Sequence, residues 1–456
     1  MALKFGTSGL RGPVVAMTDP VVARYAAGFI DYINASGEVL IGRDLRESSE
    51  RIAHAVAAGV RAAGAIPVDC STLPTPALAC AAASRGLPAI MVTGSHIPAD
   101  RNGLKFYTSD GEIGKEDEAG ITAAFAARND SWAEGAFARD DTPLARYRAR
   151  FADAFSDRPL SGLRIGVYQH SSVARDLLIE VLGDLGADVS PLGRSDRFVP
   201  VDTEAVSTDA AARLRRWSRD FDAIVSTDGD GDRPMVADET GRILPGDVLG
   251  PITARGLGAD VVVTPVTSNS LVCAMGVFDK VIRTQVGSPF VIDAMEKAQG
   301  RAVVGYEANG GFLLGFTAGD LTALMTRDCM LPIIVPLSIA ASEGKSLSAL
   351  RAELPPIFTA ADRLQDIEAD QSQAVLAALH PGAAFSASVF EGFGAEVSRD
   401  LTDGLRISFA DNVVIHLRPS GNAPELRCYA EAAAPETAAR AVTTTLERIK
   451  ERLDGF

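Results

Sequence analysis

A short apolar run, an amphipathic stretch and a second short apolar run follow one another three times, and this order restricts the fold more than any single residue does. In the first pass a helical pattern over 20–34 leads to a strand at 39–41. A helix over about 48–63, stopped by Gly64, and a strand at 66–70 follow. The second pass places a strand at 163–167, a helix at 173–185 and a strand after Gly186-Ala187-Asp188. The third reads strand 261–264, helix 270–275, strand 280–283. Strand, helix and strand in succession predict parallel βαβ units. At 456 residues the chain is also too long for one hydrophobic core, so three similar α/β units are expected.

The tail has another pattern. Strand-like runs at 385–390, 404–409 and 412–417 precede a last helix over 435–453, and a charged, helix-rich region at 363–379 leads in. An α+β module with an antiparallel sheet is expected there. The polar stretch 129–141, a charged helix over 144–155 and the run Gly246-Asp247-Val248-Leu249 mark boundaries. They divide the chain into 1–141, 142–246, 247–365 and 366–456.

A net charge of −15 disfavours a nucleic-acid partner, which needs a basic face, but leaves room for a phosphorylated small ligand at a local positive site. Cys70, Cys80, Cys273, Cys329 and Cys428 are scattered without a C-x-x-C pair, which predicts reduced thiols and neither a disulfide framework nor a zinc site. The first residues lack an apolar signal-peptide core. The longest apolar runs, such as 330–341, are broken by prolines and too short for a bilayer. A cytoplasmic protein without a membrane partner is expected.

Five stretches carry candidate chemistry. Ser95 follows the apolar run 87–92 in Thr93-Gly94-Ser95-His96-Ile97-Pro98, on a loop at the C-terminal end of a buried strand, where open α/β sheets place their chemistry. Asp228-Gly229-Asp230-Gly231-Asp232-Arg233 sets three carboxylates between glycines. Left alone they would repel; a hard divalent cation relieves that, Mg²⁺ if the site is small and shared with a phosphate. An EF-hand would also use Glu239, at the twelfth position, but Arg233 stands where its turn needs glycine and the flanks read as strands. Glu307 and Asn309 alternate in a glycine-flanked loop, an acceptor and an amide suited to vicinal sugar hydroxyls. Arg418-Pro419-Ser420-Gly421-Asn422, with Arg427 beyond, concentrates what a bound phosphate requires. Gly6-Thr7-Ser8-Gly9-Leu10-Arg11-Gly12 suits an anion, and Lys105 lies near Ser95 in sequence, open to a phosphate or acid/base role.

With these motifs in this order, essentially the whole chain resembles the α-D-phosphohexomutase superfamily, in particular its bacterial phosphomannomutase/phosphoglucomutase type. The resemblance implies an α/β fold of four domains around a central cleft, three similar α/β units plus a C-terminal α+β domain. It implies that Ser95 is carried as phosphoserine and that one Mg²⁺ per chain is held by Asp228, Asp230, Asp232 and the seryl phosphate. The activity implied is interconversion of mannose 6-phosphate and mannose 1-phosphate through a hexose 1,6-bisphosphate, which also serves as activator. Glucose or glucosamine phosphates would be alternative substrates of the same chemistry. A non-catalytic sugar-phosphate binding protein and a single-step phosphatase are alternatives of other classes. Arg11, Lys105 and His96 resemble positions lining the serine. Thr7, Ser8, Arg233, Glu307, Asn309, Arg418, Ser420, Gly421, Asn422 and Arg427 resemble substrate-binding positions. Hexose phosphates are the expected partners, and a monomer or homodimer the expected state. Two positions depart from the common pattern: Gly311 stands where many relatives have histidine, and Pro289 where some have a phosphate-binding lysine.

Overall fold

An eight-stranded sheet organises the first part of the chain. Its path runs Lys4–Phe5, Leu10–Pro13, Arg101–Thr108, Ala89–Val92, Glu38–Arg43, Ile66–Thr72 and Ala138–Arg139, with Gly111–Glu112 paired to Arg101–Thr108. The inner strands Ala89–Val92, Glu38–Arg43 and Ile66–Thr72 are parallel, as the recurring strand–helix–strand pattern predicts. Helices Asp19–Ile33 and Ser49–Ala62 bury Val22, Ala26, Phe29, Ile52, Val56 and Val60 against Val39, Ile41, Ile90 and Phe106. Their three- and four-residue spacing is the apolar stripe of a helix packed on a sheet. The computed structural model describes residues 3–6, 9–129, 132–136, 138–298, 300–420 and 424–453. The chain divides into two units, Met1–Val262 with Gly287–Arg351, and Val263–Val286 with Ala352–Phe456.

The first unit holds a second sheet, in the order Asp188–Arg194, Arg164–His170, Ala223–Thr227, Pro234–Asp238 and Ile243–Leu244. Its first three strands are parallel; Ala223–Thr227 then turns back antiparallel into Pro234–Asp238, with Thr227 opposite Pro234. Residues 228–233 are therefore a hairpin loop between two fully buried strands. That architecture leaves no place for an EF-hand, which needs helices on both sides. An antiparallel ribbon of Val303–Tyr306, Phe312–Leu314 and Leu324–Asp328 completes the strands used by the site, with Tyr306 opposite Phe312. No helix among the described residues is long and apolar enough to cross a membrane.

The second unit carries a five-stranded antiparallel sheet ordered Phe358–Gln365, Glu425–Ala432, Val414–Pro419, Leu405–Phe409, Glu396–Asp400. Val375 of helix Ala369–Ala378 and Val442, Leu446 and Ile449 of helix Pro435–Lys450 cover Ile407, Ile415, Leu417 and Leu426. Two expectations fail here. The run 385–390 is a helix, Ala384–Val389, although its Phe and Val content favours a strand. Ser386 and Val389, three apart, are its buried residues, and Arg448 closes its end by donating to the Val389 carbonyl at 2.9 Å. Residues 363–365 are not helical but end the strand Phe358–Gln365, which pairs with Glu425–Ala432 along its whole length. It is a mostly exposed sheet edge, and charged residues such as Asp362 and Arg363 make such an edge resemble a helix surface.

Candidate active site

The serine loop is held from behind by an arginine that no motif announced. Strand Ala89–Val92 is completely buried, and Ser95, 1% exposed, sits just past its end at φ +54°. That conformation is strained for a residue with a Cβ and is the kind retained at functional sites. Arg46, itself buried, stabilises it. Its guanidinium donates to the carbonyls of Ser95 at 2.9 Å, Ile97 at 2.6 Å, Pro98 at 2.7 Å and Arg101 at 3.0 Å. Its Nε donates to Asp44 Oδ2 at 3.1 Å, and that carboxylate also accepts from Thr93 Oγ1 at 2.8 Å. Thr93 Oγ1 in turn accepts from the Ser95 N–H at 2.8 Å. The run Asp44-Leu45-Arg46 is only an ordinary charged turn in the sequence; a buried Asp-x-Arg pair directly after an apolar strand was the available signal.

The acidic loop meets this serine. Ser95 Oγ donates to Asp228 Oδ2 at 2.5 Å. Gly229 permits the approach, because a Cβ there would lie 2.7 Å from the Ser95 carbonyl oxygen. One oxygen from each of Asp228, Asp230 and Asp232 falls within 4.8 Å of the others, all three residues being buried. Lys105 lies within this cluster, donating to Asp230 Oδ2 at 2.7 Å and Asp232 Oδ2 at 2.6 Å. Its strand explains the reach: Leu104 and Phe106 face the core, and alternation turns Lys105 to the other side. Thr75 adds an Oγ1 hydrogen bond to Asp230 Oδ2 at 2.6 Å.

Burial, followed by repulsion from Asp230 and Asp232, pushes the Asp228 carboxyl well above the usual range. Burial also acts to raise Asp230, but Lys105 and Thr75 overcome it and leave that group below its ordinary value. Asp230 Oδ1 and Asp232 Oδ1 are buried without a hydrogen-bond partner. Hard, unsatisfied carboxylate oxygens beside a third carboxylate fit a divalent cation such as Mg²⁺.

His96 is a neutral neighbour. Its Nδ1 accepts from Arg233 Nη1 at 2.9 Å and lies 3.3 Å from Ser95 Oγ. Burial, then the charges of Arg233 and Arg11, pull its pKa down to about 2. Arg11 is pulled down to about 10, by burial and then by Arg233 and Arg327, and its Nη2 is buried without a hydrogen-bond partner. Thr7 and Ser8 lie outside the described residues.

Glu307, Asn309 and Gly311 form the loop between strands Val303–Tyr306 and Phe312–Leu314. Asn309 Oδ1 accepts from the Gly311 N–H at 2.9 Å, and its Nδ2 lies 3.4 Å from Glu307 Oε2. A residue unmarked by any motif joins this loop to the acidic one. Arg327 pairs with Asp232 Oδ2 at 2.9 Å and with Glu307 Oε2 at 3.3 Å. A charged side chain in the buried strand Leu324–Asp328 was its only sequence trace. Pro289 stands in the first turn of helix Ser288–Lys297, where a missing N–H costs nothing.

In the second unit Arg418 and Arg427 are direct cross-strand partners, and Arg363 continues the row opposite Arg427. Like charges so placed repel and are compensated here by carboxylates. Arg418 pairs with Asp403 at 3.2 Å, and Glu425 pairs with both Arg427 and Arg363 at 3.3 Å. The Ser420 N–H donates to the Glu425 carbonyl at 2.9 Å. Gly421 and Asn422 lie outside the described residues.

Comparison with known proteins agrees with this layout. Residues 2–131, 145–241 and 245–358 match the family models described as phosphoglucomutase/phosphomannomutase, alpha/beta/alpha domains I, II and III. Residues 361–448 match the C-terminal domain of the same family. A phosphomannomutase of Sinorhizobium fredii (strain NBRC 101917 / NGR234) is 46% identical over 462 residues, covering 96% of this chain and 97% of that protein. A phosphomannomutase of Salmonella muenchen is 45% identical over 467 residues, covering 99% and 96%. A solved phosphoglucomutase/phosphomannomutase family protein from Burkholderia thailandensis shares the fold with a TM-score of 0.77 at 22% identity, over 98% of this chain and 97% of that one. With all four domain models matched in order and two relatives aligned over nearly their full length, the chain belongs to the phosphoglucomutase/phosphomannomutase family of α-D-phosphohexomutases.

Proposed function

We propose that the protein is a phosphomannomutase, interconverting mannose 6-phosphate and mannose 1-phosphate through phosphorylated Ser95 and a hexose 1,6-bisphosphate. The observation that carries this reading is the 2.5 Å hydrogen bond from Ser95 Oγ to Asp228 Oδ2, which puts a nucleophile-bearing loop on a metal-type carboxylate cluster. The two relatives with 45–46% identity support the choice of sugar.

In the first half-reaction the free hydroxyl oxygen of the hexose monophosphate attacks the seryl phosphorus. The bond from phosphorus to Oγ breaks as the new one forms, and the hydroxyl proton passes, in net terms, to Oγ. The bisphosphate then turns, and the same steps in reverse return its other phosphoryl group to Ser95. Held by Asp228, Asp230, Asp232 and a seryl-phosphate oxygen, one Mg²⁺ per chain would neutralise charge on the transferring group. Lys105 holds Asp230 and Asp232 in position, and with Arg11 provides the cations that attend proton transfer. Arg233 orients His96 beside the serine. Glu307 and Asn309 take the ring hydroxyls, while Arg418, Ser420, Gly421, Asn422 and Arg427 hold the non-reacting phosphate. Thr7 and Ser8 are taken as substrate-binding residues on the resemblance of their motif alone. Hexose 1,6-bisphosphate primes the serine, and the enzyme works in the cytoplasm as a monomer or homodimer.

Ser95→Ala is the direct test, with turnover of mannose, glucose and glucosamine 1-phosphates measured by coupled assay. The reading predicts loss of all turnover in the variant and a preference for mannose in the unmodified enzyme. Undiminished turnover by Ser95→Ala would refute it, and net release of inorganic phosphate would make the protein a phosphatase.

A further inference from the structure

Arg327 is built into the structure in a way that demands a small residue at 311. A Cβ on Gly311 would lie 2.7 Å from Arg327 Cδ and 2.8 Å from its Cγ, closer than real Cβ contacts allow. The arginine stem therefore occupies the space that a side chain at 311 would take. From this seat the guanidinium of the buried Arg327 spans two carboxylates of different loops, Asp232 at 2.9 Å and Glu307 at 3.3 Å.

The partners of Glu307 specify the consequence. Oε2 is taken up by Arg327 and approached by Asn309 Nδ2 at 3.4 Å, so Oε1 is the oxygen left to accept from a sugar hydroxyl. A carboxylate held this way presents its acceptor at one fixed point. A freely rotating glutamate would follow either epimer of a hexose, whereas a fixed one rewards only the hydroxyl arrangement that reaches it. We propose that Arg327, seated on Gly311, is the positioning residue that sets hexose selectivity by fixing the carboxylate of Glu307 and tying it to Asp232. This inference rests on the phosphomannomutase reading and adds to it the residue responsible for discrimination.

The test is a mutant cycle in the full-length enzyme, reading the ratio of kcat/KM for mannose 1-phosphate and glucose 1-phosphate. Gly311→Ala changes no functional group, yet it must displace the Arg327 stem. Arg327→Lys keeps the charge but, as a point donor, cannot span both carboxylates. Each should shift the ratio about tenfold, the size of one charge-assisted hydrogen bond made to one substrate and not the other. In an Arg327→Ala background, Gly311→Ala should have a much smaller effect, because the Cγ and Cδ it collides with are gone and only the Cβ at 3.1 Å remains.

A merely structural role would lower both sugars alike, so parallel losses in Gly311→Ala and Arg327→Lys overturn the inference. So does a Gly311→Ala effect that is equally large with and without the arginine stem. Should Arg327→Ala not fold, Gly311→Ala and Arg327→Lys decide alone: both must shift the ratio. Failure of the parent reading would look different, as turnover surviving in Ser95→Ala.

Discussion

Replacing Arg46 with methionine removes five hydrogen bonds together, four to serine-loop carbonyls and one to Asp44. The side chains of the pair are 1% and 0% exposed, so water does not substitute for the lost partner. Removing one member of a buried ion pair costs about 3–5 kcal/mol. Asp44 keeps hydrogen bonds from Ser49 Oγ, Thr93 Oγ1 and the Gly94 N–H. Burial already raises its pKa, so protonation offers a partial escape and places the cost near the lower end. The damage should be local. Hydrogen exchange in strands Ala89–Val92 and Arg101–Thr108 should speed up by about two powers of ten, the exchange equivalent of roughly 3 kcal/mol. kcat should fall by about 100-fold, as expected for a nucleophile displaced by around 1 Å. Arg46→Lys should recover little, because one ammonium cannot reach four carbonyls. Wild-type protection and wild-type kcat in Arg46→Met would refute the claim that this guanidinium holds the serine loop.

Other perturbations probe the remaining parts. Gly229→Ala would place a Cβ 2.7 Å from the Ser95 carbonyl oxygen, a buried backbone atom that cannot swing aside, so it should lower both kcat and the melting temperature. Chelation of divalent ions should abolish turnover and added Mg²⁺ restore it, since Asp230 Oδ1 and Asp232 Oδ1 have no hydrogen-bond partner. His170 and His416 are buried and their pKa values are lowered by that burial from 6.5 to about 4. The unfolded chain therefore takes up these protons first as pH falls. Their stabilisation is complete above about pH 6.5 and is lost progressively towards pH 4, by about 2 kcal/mol per histidine at pH 5. Urea midpoints measured at pH 7.5 and pH 5 should show the drop, and His170→Gln should reduce it. Arg418→Ala should raise KM for mannose 1-phosphate and mannose 6-phosphate alike, by about 10- to 100-fold for one charge-assisted phosphate contact. An effect on only one of these isomers would contradict a loop that holds the non-reacting phosphate in both orientations.

Much of the site was legible in the chain itself because its chemistry is compressed into short turns between apolar strands. Ser95 and the three aspartates follow directly on Ala89–Val92 and Ala223–Thr227, and the structure joins them through one hydrogen bond. The two arginines that connect the loops were not legible. Arg46 acts on carbonyls some fifty residues away and Arg327 pairs with Asp232, 95 positions back in the chain, and no local spacing encodes those long-range contacts. Gly311 shows the same limit. A glycine there is plain in the sequence, whereas the arginine stem lying across it exists only in three dimensions. In the tail, local composition misled. Phe385 to Phe390 contains strand-forming residues but buries a helical face, and the edge strand Phe358–Gln365 is charged where a central strand would be apolar. Strand Glu425–Ala432 does carry a local signal, because Leu426, Cys428, Ala430 and Ala432 alternate towards the core with the ordinary period of two.

The most direct test of the central claim is the phosphorylation state of the peptide bearing Ser95, followed by mass spectrometry in the purified enzyme before and after mixing with mannose 6-phosphate. The account predicts phosphate on Ser95 at the start, its transfer to the sugar as hexose 1,6-bisphosphate within a single turnover, and its return as mannose 1-phosphate accumulates. An enzyme that turns over mannose 6-phosphate while Ser95 is never phosphorylated would contradict it.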